Sequence, residues 1–333
     1  MKRFEHVNWG IFGVGDVTEV KSGPAFYKIE HSNVAAVMRR DADKAADYAA
    51  RHGIGRWCSD ASELINDPDI DAIYIATPPD SHASYAIAAM QAGKPVYVEK
   101  PMARTYAECV KMLETSNATG MQLWVAYYRR ALPAFLKAQE LIGAGEIGWP
   151  VEVSVTLHWP AKEKNQSKQG MNWRVSPEIA GAGHFFDLAS HQFDYLDFVF
   201  GEVIGITGSA SNLGGLYEAE DTVTAGWLHA SGITGHGSWS FIADEDAEAD
   251  EIEIAGDKGS IRLSCFEKPD VLRLVQQGRE SVLQFENPEH ISQHLVQQVV
   301  NELRGIGECV STGTSAARTN WVLEQVVKDY YSR

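Results

Sequence analysis

Two hydrophobic periods divide the chain. Up to about residue 125, short unbroken apolar runs alternate with longer amphipathic or capped stretches. Unbroken runs predict strands buried on both faces. They fall at residues 7–12, 34–38, 71–76, 96–98 and 121–127. The stretches between them predict helices at 42–52, closed by Gly53, and at 59–65, opened by Ser59 or Asp60 with Glu63 in the first turn. Another is predicted at 83–92, ended by Gly93-Lys94-Pro95. Strand and helix in turn are what a doubly wound parallel sheet requires. From residue 151 the period becomes two. Strands are predicted at 151–157, 203–209, 222–228, 235–242, 251–255, 260–263, 271–275 and 281–285. That alternation fits a sheet with one covered and one exposed face. Helices are predicted at 134–143, 291–304 and 316–331. The chain thus reads as α/β, with a first domain over 1–125 and a second over 126–333.

Composition narrows the function classes. A 44% hydrophobic content supports a large core, and a net charge of −16 lacks the basic stripe of a nucleic-acid surface. No run approaches the roughly 20 apolar residues of a membrane span. The start of the chain has no apolar core of signal-peptide length, and Cys58, Cys109, Cys265 and Cys309 are widely spaced. Together these lead to the expectation of a cytoplasmic protein with no metal site, no nucleic-acid partner and no membrane partner.

The first strand runs into Gly13-Val14-Gly15, with Asp16 and Val17 opening a helical stretch behind it. Gly13 suits the tight turn of a dinucleotide fold, and Gly15 lets backbone approach a pyrophosphate. Thr18 stands where the third glycine of that fingerprint is usual. The second strand ends Met38-Arg39-Arg40-Asp41. An NAD site places an acid there for the ribose hydroxyls. Two guanidiniums instead suit a 2′-phosphate, which makes NADP(H) the preferred cofactor and NAD(H) the alternative, with Asp41 then serving the ribose. The run Val96-Tyr97-Val98-Glu99-Lys100-Pro101 stops a strand on an acid, a base and a proline. It places Lys100 at a strand's carboxyl end, where open α/β sheets bind ligands.

With the Gly-x-Gly turn, Ala76-Thr77-Pro78-Pro79 with His82, and Glu99-Lys100-Pro101 in order, the chain resembles the glucose–fructose oxidoreductase/inositol dehydrogenase (Gfo/Idh/MocA) family over nearly its whole length. The resemblance implies a Rossmann domain followed by an α+β domain with a large open, mostly antiparallel sheet. It implies reversible hydride transfer between a nicotinamide and a sugar, cyclitol or related polyol. It further implies a homodimer or homotetramer through the second sheet, and often a cis Lys-Pro bond. Thr77, Pro78, His82, Glu99 and Lys100 would join Gly13, Gly15, Asp16, Val17, Arg39 and Arg40 at the cofactor.

Asp187 and His191 lie four apart in Gly181-Ala182-Gly183-His184-Phe185-Phe186-Asp187-Leu188-Ala189-Ser190-His191, so one helix face carries both. The segment resembles the family's Asp-x-x-x-His motif, with Lys100 as third partner; Ala182 and His184 interrupt its usual glycines. Carbinol oxidation needs a group that takes the hydroxyl proton, and histidine titrates near neutrality. His191 is therefore assigned as acid/base and Lys100 as stabiliser of the oxygen, with Lys100 as the other candidate proton carrier; Asp187 orients substrate and base. Tyr128, Arg129, Trp173 and Arg174 are the further substrate contacts that the resemblance implies. Three alternatives stay open: a metal on His184, Asp187 and His191, a nicotinamide-sensing regulator without chemistry, and redox-assisted glycoside cleavage on a bound NAD. Loops 162–170 and 212–220 are expected to shape the pocket.

Overall fold

The computed structural model describes residues 4–161 and 172–332, so the predicted loop at 162–170 lies outside the described residues. The chain divides into two compact units, one of residues 1–128 with 288–317, the other of residues 129–287 with 318–333.

In the first unit, six parallel strands stand in the order β3-β2-β1-β4-β5-β6. They are β1 (Val7–Phe12), β2 (Ser32–Met38), β3 (Trp57–Cys58), β4 (Ala72–Ile75), β5 (Val96–Val98) and β6 (Leu123–Val125). The helices α1 (Asp16–Val20), α2 (Ala25–Lys28), α3 (Ala42–Arg51), α4 (Ala61–Ile65), α5 (His82–Gln91) and α6 (Tyr106–Thr119) fill the connections. β4, β5 and β6 are buried at every position, as expected of strands covered on both faces. Side chains fix the helix starts: Asp41 accepts from the Lys44 amide at 3.2 Å, Asp60 from Ser62 at 2.8 Å and Thr105 from Glu108 at 3.2 Å.

A single domain cut after residue 125 does not describe this division, because 288–317 belongs to the first unit. The reason is hydrogen bonding and packing on β6. Ser311 Oγ donates to the Val125 carbonyl at 2.7 Å, Trp124 Nε1 donates to Glu302 at 3.0 Å, and Ala316 and Ala317 join the core around Val125. This return segment holds α10 (Gln293–Arg304), and the unit boundary falls inside α11 (Gly313–Tyr331).

The second unit is built on eight strands in the order β14-β13-β12-β11-β7-β10-β9-β8. They are β7 (Pro150–His158), β8 (Val203–Ser211), β9 (Thr222–His229), β10 (Thr234–Ser240), β11 (Ala249–Gly256), β12 (Gly259–Leu263), β13 (Val271–Gln276) and β14 (Arg279–Gln284). Every pairing is antiparallel except β7 with β10. Its helices are α7 (Pro133–Gly143), α8 (Pro177–Ala180) and α9 (His184–Phe200). Along β9 and β10 every second residue is buried. On that covered face Trp227 and Trp239 meet Phe193 and Phe185 of α9, with ring centroids 4.9 and 5.0 Å apart. Trp239 Nε1 donates to Gln192 at 2.7 Å and Trp227 Nε1 to His229 at 3.2 Å, so both indole donors of this aromatic core are satisfied.

Candidate active site

The first unit presents a dinucleotide cradle at the carboxyl ends of its strands. Gly13 has φ +86°, and a Cβ on it would lie 2.6 Å from the Thr77 amide nitrogen. Only glycine lets the β1 and β4 loops come this close. Beside Gly15 the loop is open: a Cβ there would meet nothing nearer than the Gly13 carbonyl at 4.0 Å. The Asp16 and Val17 amides follow at the start of α1, where amides have no intrahelical acceptor. This shape fits a pyrophosphate held by backbone. Thr18 closes the loop from behind. It is fully buried, its hydroxyl donates to the Gly15 carbonyl at 2.8 Å and accepts from the Gly15 amide at 2.9 Å. Tyr48 then donates to the Thr18 carbonyl at 2.9 Å.

At the end of β2, Arg39 Nη1 donates to the Val14 carbonyl at 2.5 Å, which lays its guanidinium along the glycine loop. Arg40 is exposed. Asp41 caps α3, and its second oxygen meets Lys44 Nζ at 3.3 Å, so this carboxylate is engaged at the helix rather than turned to a ribose.

The Lys100–Pro101 peptide at the end of β5 is cis, as the resemblance implies. Two side chains hold this turn. Glu99 Oε2 accepts from the Lys100 amide at 3.3 Å, and Glu99 Oε1 lies 2.6 Å from the Tyr74 hydroxyl, itself 2.7 Å from Ser22 Oγ. Burial pushes the Glu99 carboxyl above its ordinary range, against the pull of Tyr74. His82 is fully buried, with Nε2 2.7 Å from the Thr77 carbonyl and Nδ1 3.1 Å from the Pro101 carbonyl. Burial pushes it below the usual imidazole range, against the Thr77 and Pro101 carbonyls, and the ring ties the β4 loop to the β5 loop. Its ring nitrogens face backbone, which makes His82 a positioning residue for Thr77 and the Lys100 turn.

In the second unit α9 carries Asp187 and His191. Arg174, in the 3₁₀ turn Trp173–Val175, donates from Nε to Asp187 Oδ2 at 3.1 Å, and its guanidinium stacks on Trp173 at 4.4 Å. Both members of the pair keep some exposure. His191 is 3% exposed, and its ring meets the edge of Phe266 at 5.9 Å. Phe266 in turn packs on Trp159 and lies under the Arg129 guanidinium at 4.6 Å. Arg129 is 4% exposed and donates from both Nε and Nη2 to the Cys265 carbonyl. The structure thus places Arg129 in the wall behind His191, while Tyr128, of the first unit, remains partly exposed. Among the described residues no three His, Cys, Asp or Glu side chains gather as metal ligands; His184 instead packs edge-on to Tyr217.

The glycine turn before α9 depends on a residue the sequence did not single out. Glu220, just ahead of β9, is fully buried and accepts from the Gly183 amide on both oxygens, at 3.0 and 3.1 Å. Tyr331 near the chain's end donates to the same carboxylate. A Cβ on Gly183 would sit 2.7 Å from the Glu220 carbonyl, so this contact needs glycine. Burial pushes the Glu220 carboxyl from 4.5 to about 7, against the Tyr331 and Gly183 donors. A carboxyl raised in the folded state stabilises it below the unfolded value, and that contribution is lost as pH rises through about 7. Urea unfolding at pH 5 and 8 is expected to show the wild type losing about 2–3 kcal/mol relative to Glu220→Gln over that interval. An unchanged difference would mean that Glu220 titrates where a free carboxyl does.

Among the described residues no helix is long and apolar enough to cross a membrane. Residues 7–127 match the oxidoreductase family with an NAD-binding Rossmann fold, and residues 135–262 match the GFO/IDH/MocA C-terminal domain. Oxidoreductase P35 of Formosa agariphila is 40% identical over 294 residues, 88% of this chain and 90% of that protein. The 1,5-anhydro-D-fructose reductase of Ensifer adhaerens is 31% identical over 229 residues, 68% of this chain and 66% of that protein. The solved aldose-aldose oxidoreductase of Caulobacter crescentus, complexed with glycerol, superposes with a TM-score of 0.86 at 22% identity, over 98% of each chain, and so shares the fold. The chain belongs to the GFO/IDH/MocA family of oxidoreductases and carries its NAD-binding Rossmann fold.

Proposed function

We propose that the protein interconverts a carbinol and a carbonyl on a sugar, cyclitol or related polyol, with NADP(H) preferred over NAD(H). The nicotinamide, when bound, supplies the hydride acceptor or donor. Gly13, Gly15, Asp16, Val17, Thr77 and Pro78 hold the dinucleotide, and Arg39 and Arg40 take its 2′-phosphate. Lys100 donates to the reacting oxygen and stabilises its alkoxide character. His191 takes or returns the hydroxyl proton. Asp187, oriented by Arg174, fixes the substrate and the base. Trp173 and Tyr128 supply aromatic surface for a sugar face. The observation that supports this reading best is the Arg174–Asp187 pair one turn ahead of His191 on α9. Assay of a panel of keto-sugars, anhydro-sugars and inositols with both nicotinamides tests it; no turnover on any of them removes the proposal. A homodimer or homotetramer through the outer face of the eight-stranded sheet, in the cytoplasm, completes the reading.

The cofactor preference rests on Arg39 lying along the glycine loop while Asp41 caps α3. A phosphate gripped by one guanidinium gains about 1.5–3 kcal/mol, or about ten- to a hundredfold in affinity. Fluorescence titration is therefore expected to show NADPH binding at least about tenfold more tightly than NADH, and Arg39→Ala is expected to erase the gap. Equal affinities in the wild type would make both arginines surface charge and put NAD(+)-linked polyol oxidation first.

A further inference from the structure

We propose that Glu220 and Tyr331 form a clamp that positions Asp187 and His191 for turnover. This rests on the reading of those two residues given above. Helix α9 starts at Gly183, which has no side chain to cap it. Glu220 instead accepts from the amide of this capping glycine, reaching it from the loop ahead of β9, and Tyr331 fixes Glu220 from the end of α11. Asp187 stands in the first turn of this helix, so the cap and the carboxylate share one rigid turn.

The loop that delivers Glu220 is stapled at both ends. Asn212 Nδ2 donates to the carbonyls of Tyr217 and Ala219, while Asp221 accepts from the amides of Leu213 and Gly214 at 2.9 and 2.7 Å. Tyr330 donates to the Glu218 carbonyl at 2.8 Å, a second tie from α11. Val175 packs with Tyr217 and Ala219, so the loop also seats the turn carrying Arg174. Both partners of the Arg174–Asp187 pair thus depend on one loop, and that loop depends on the last turn of α11. Burial and the neighbouring Asp221 carboxylate push the Glu220 carboxyl up, and Tyr331 and the Gly183 amide pull it down.

The test uses full-length Tyr331→Phe, Glu220→Gln and Glu220→Ala, read in two ways. Steady-state kinetics are expected to show kcat down about tenfold or more in Glu220→Ala and about threefold in Tyr331→Phe, with the cofactor dissociation constant unchanged and Glu220→Gln in between. Independently of turnover, NMR of ¹³C-labelled histidine in the substrate-free protein is expected to show the His191 ring signal displaced in all three variants, with His82 unmoved. A displaced His191 signal in a protein that turns over no polyol would uphold the clamp and remove the function proposed above. An active wild type whose Tyr331→Phe and Glu220→Gln variants keep both kcat and the His191 signal would overturn the clamp, even if both variants melt earlier.

Discussion

Lys100→Ala is expected to lower kcat by about 10³-fold, and His191→Ala by about 10²- to 10⁴-fold, with nicotinamide binding kept within about twofold in both. The first figure follows from removing the donor proposed for the oxygen that gains charge as hydride moves. The second follows from removing the group proposed to take the hydroxyl proton. Neither replacement should disturb the fold. Lys100 follows a strand whose turn is held by Glu99, Tyr74 and His82. His191 sits on a helix anchored by Gln192, Phe193 and Asp194, its immediate neighbours. Single-turnover and steady-state rates, with cofactor titration on the same preparations, measure the effect. In the mechanism proposed above both groups act on the reacting hydroxyl, so the double variant should fall little below the worse single one. Full activity in both single variants would remove the assignment, and additive losses would mean that the two residues serve separate steps.

Much of the fold was legible because burial on two faces and burial on one face leave different periods. The apolar runs at β1, β4 and β5 and the alternation along β9 and β10 each point to one sheet type. β3 was not legible: it is two residues, Trp57 and Cys58, too short to show a period. The return of 288–317 to the first unit was not legible either. It rests on Ser311 and Glu302 bonding to the neighbourhood of β6, and helix periodicity does not say which core a helix serves. In the site, residue types came through and their partners did not. Arg174 and Asp187 were each singled out, yet their pairing across 13 residues is a property of the loop between them. His82 and Arg129 show the opposite outcome. Both belong to motifs at strand ends, and both turn inward to carbonyl oxygens, His82 to Thr77 and Pro101, Arg129 to Cys265. The acid pair Glu220-Asp221 ahead of a strand was the available signal for the α9 cap, but its meaning depends on Gly183, 37 residues away, and Tyr331, 111 residues away.

The largest stability effect is expected at a pair adjoining the site. Arg130 meets both oxygens of Asp194 at 2.7 Å, and both side chains are almost wholly buried, at 4% and 1% exposure. Such a pair gains little over apolar residues of the same shape, because both charges were taken from water. Removing one partner is another matter, since the other charge then stays in the core without its shortest contacts. Asp194→Ala is therefore expected to destabilise the second unit by about 3–5 kcal/mol. Arg318→Ala, which breaks the neighbouring contact with Asp197 at 2.7 and 2.8 Å, should cost less, because Arg318 is 38% exposed and the buried Asp197 keeps Arg130 at 3.5 Å. The double replacement Arg130→Met/Asp194→Leu should recover most of the loss, as it leaves no charge behind. The two units need not unfold together, so exchange of the α9 amides, read by mass spectrometry in urea, is the measurement to use. If Asp194→Ala and Arg318→Ala cost the same, burial does not set the strength of this network. If the double replacement is as damaging as Asp194→Ala, the charges themselves hold α9 to the 3₁₀ turn Tyr128–Ala131 and the desolvation argument fails.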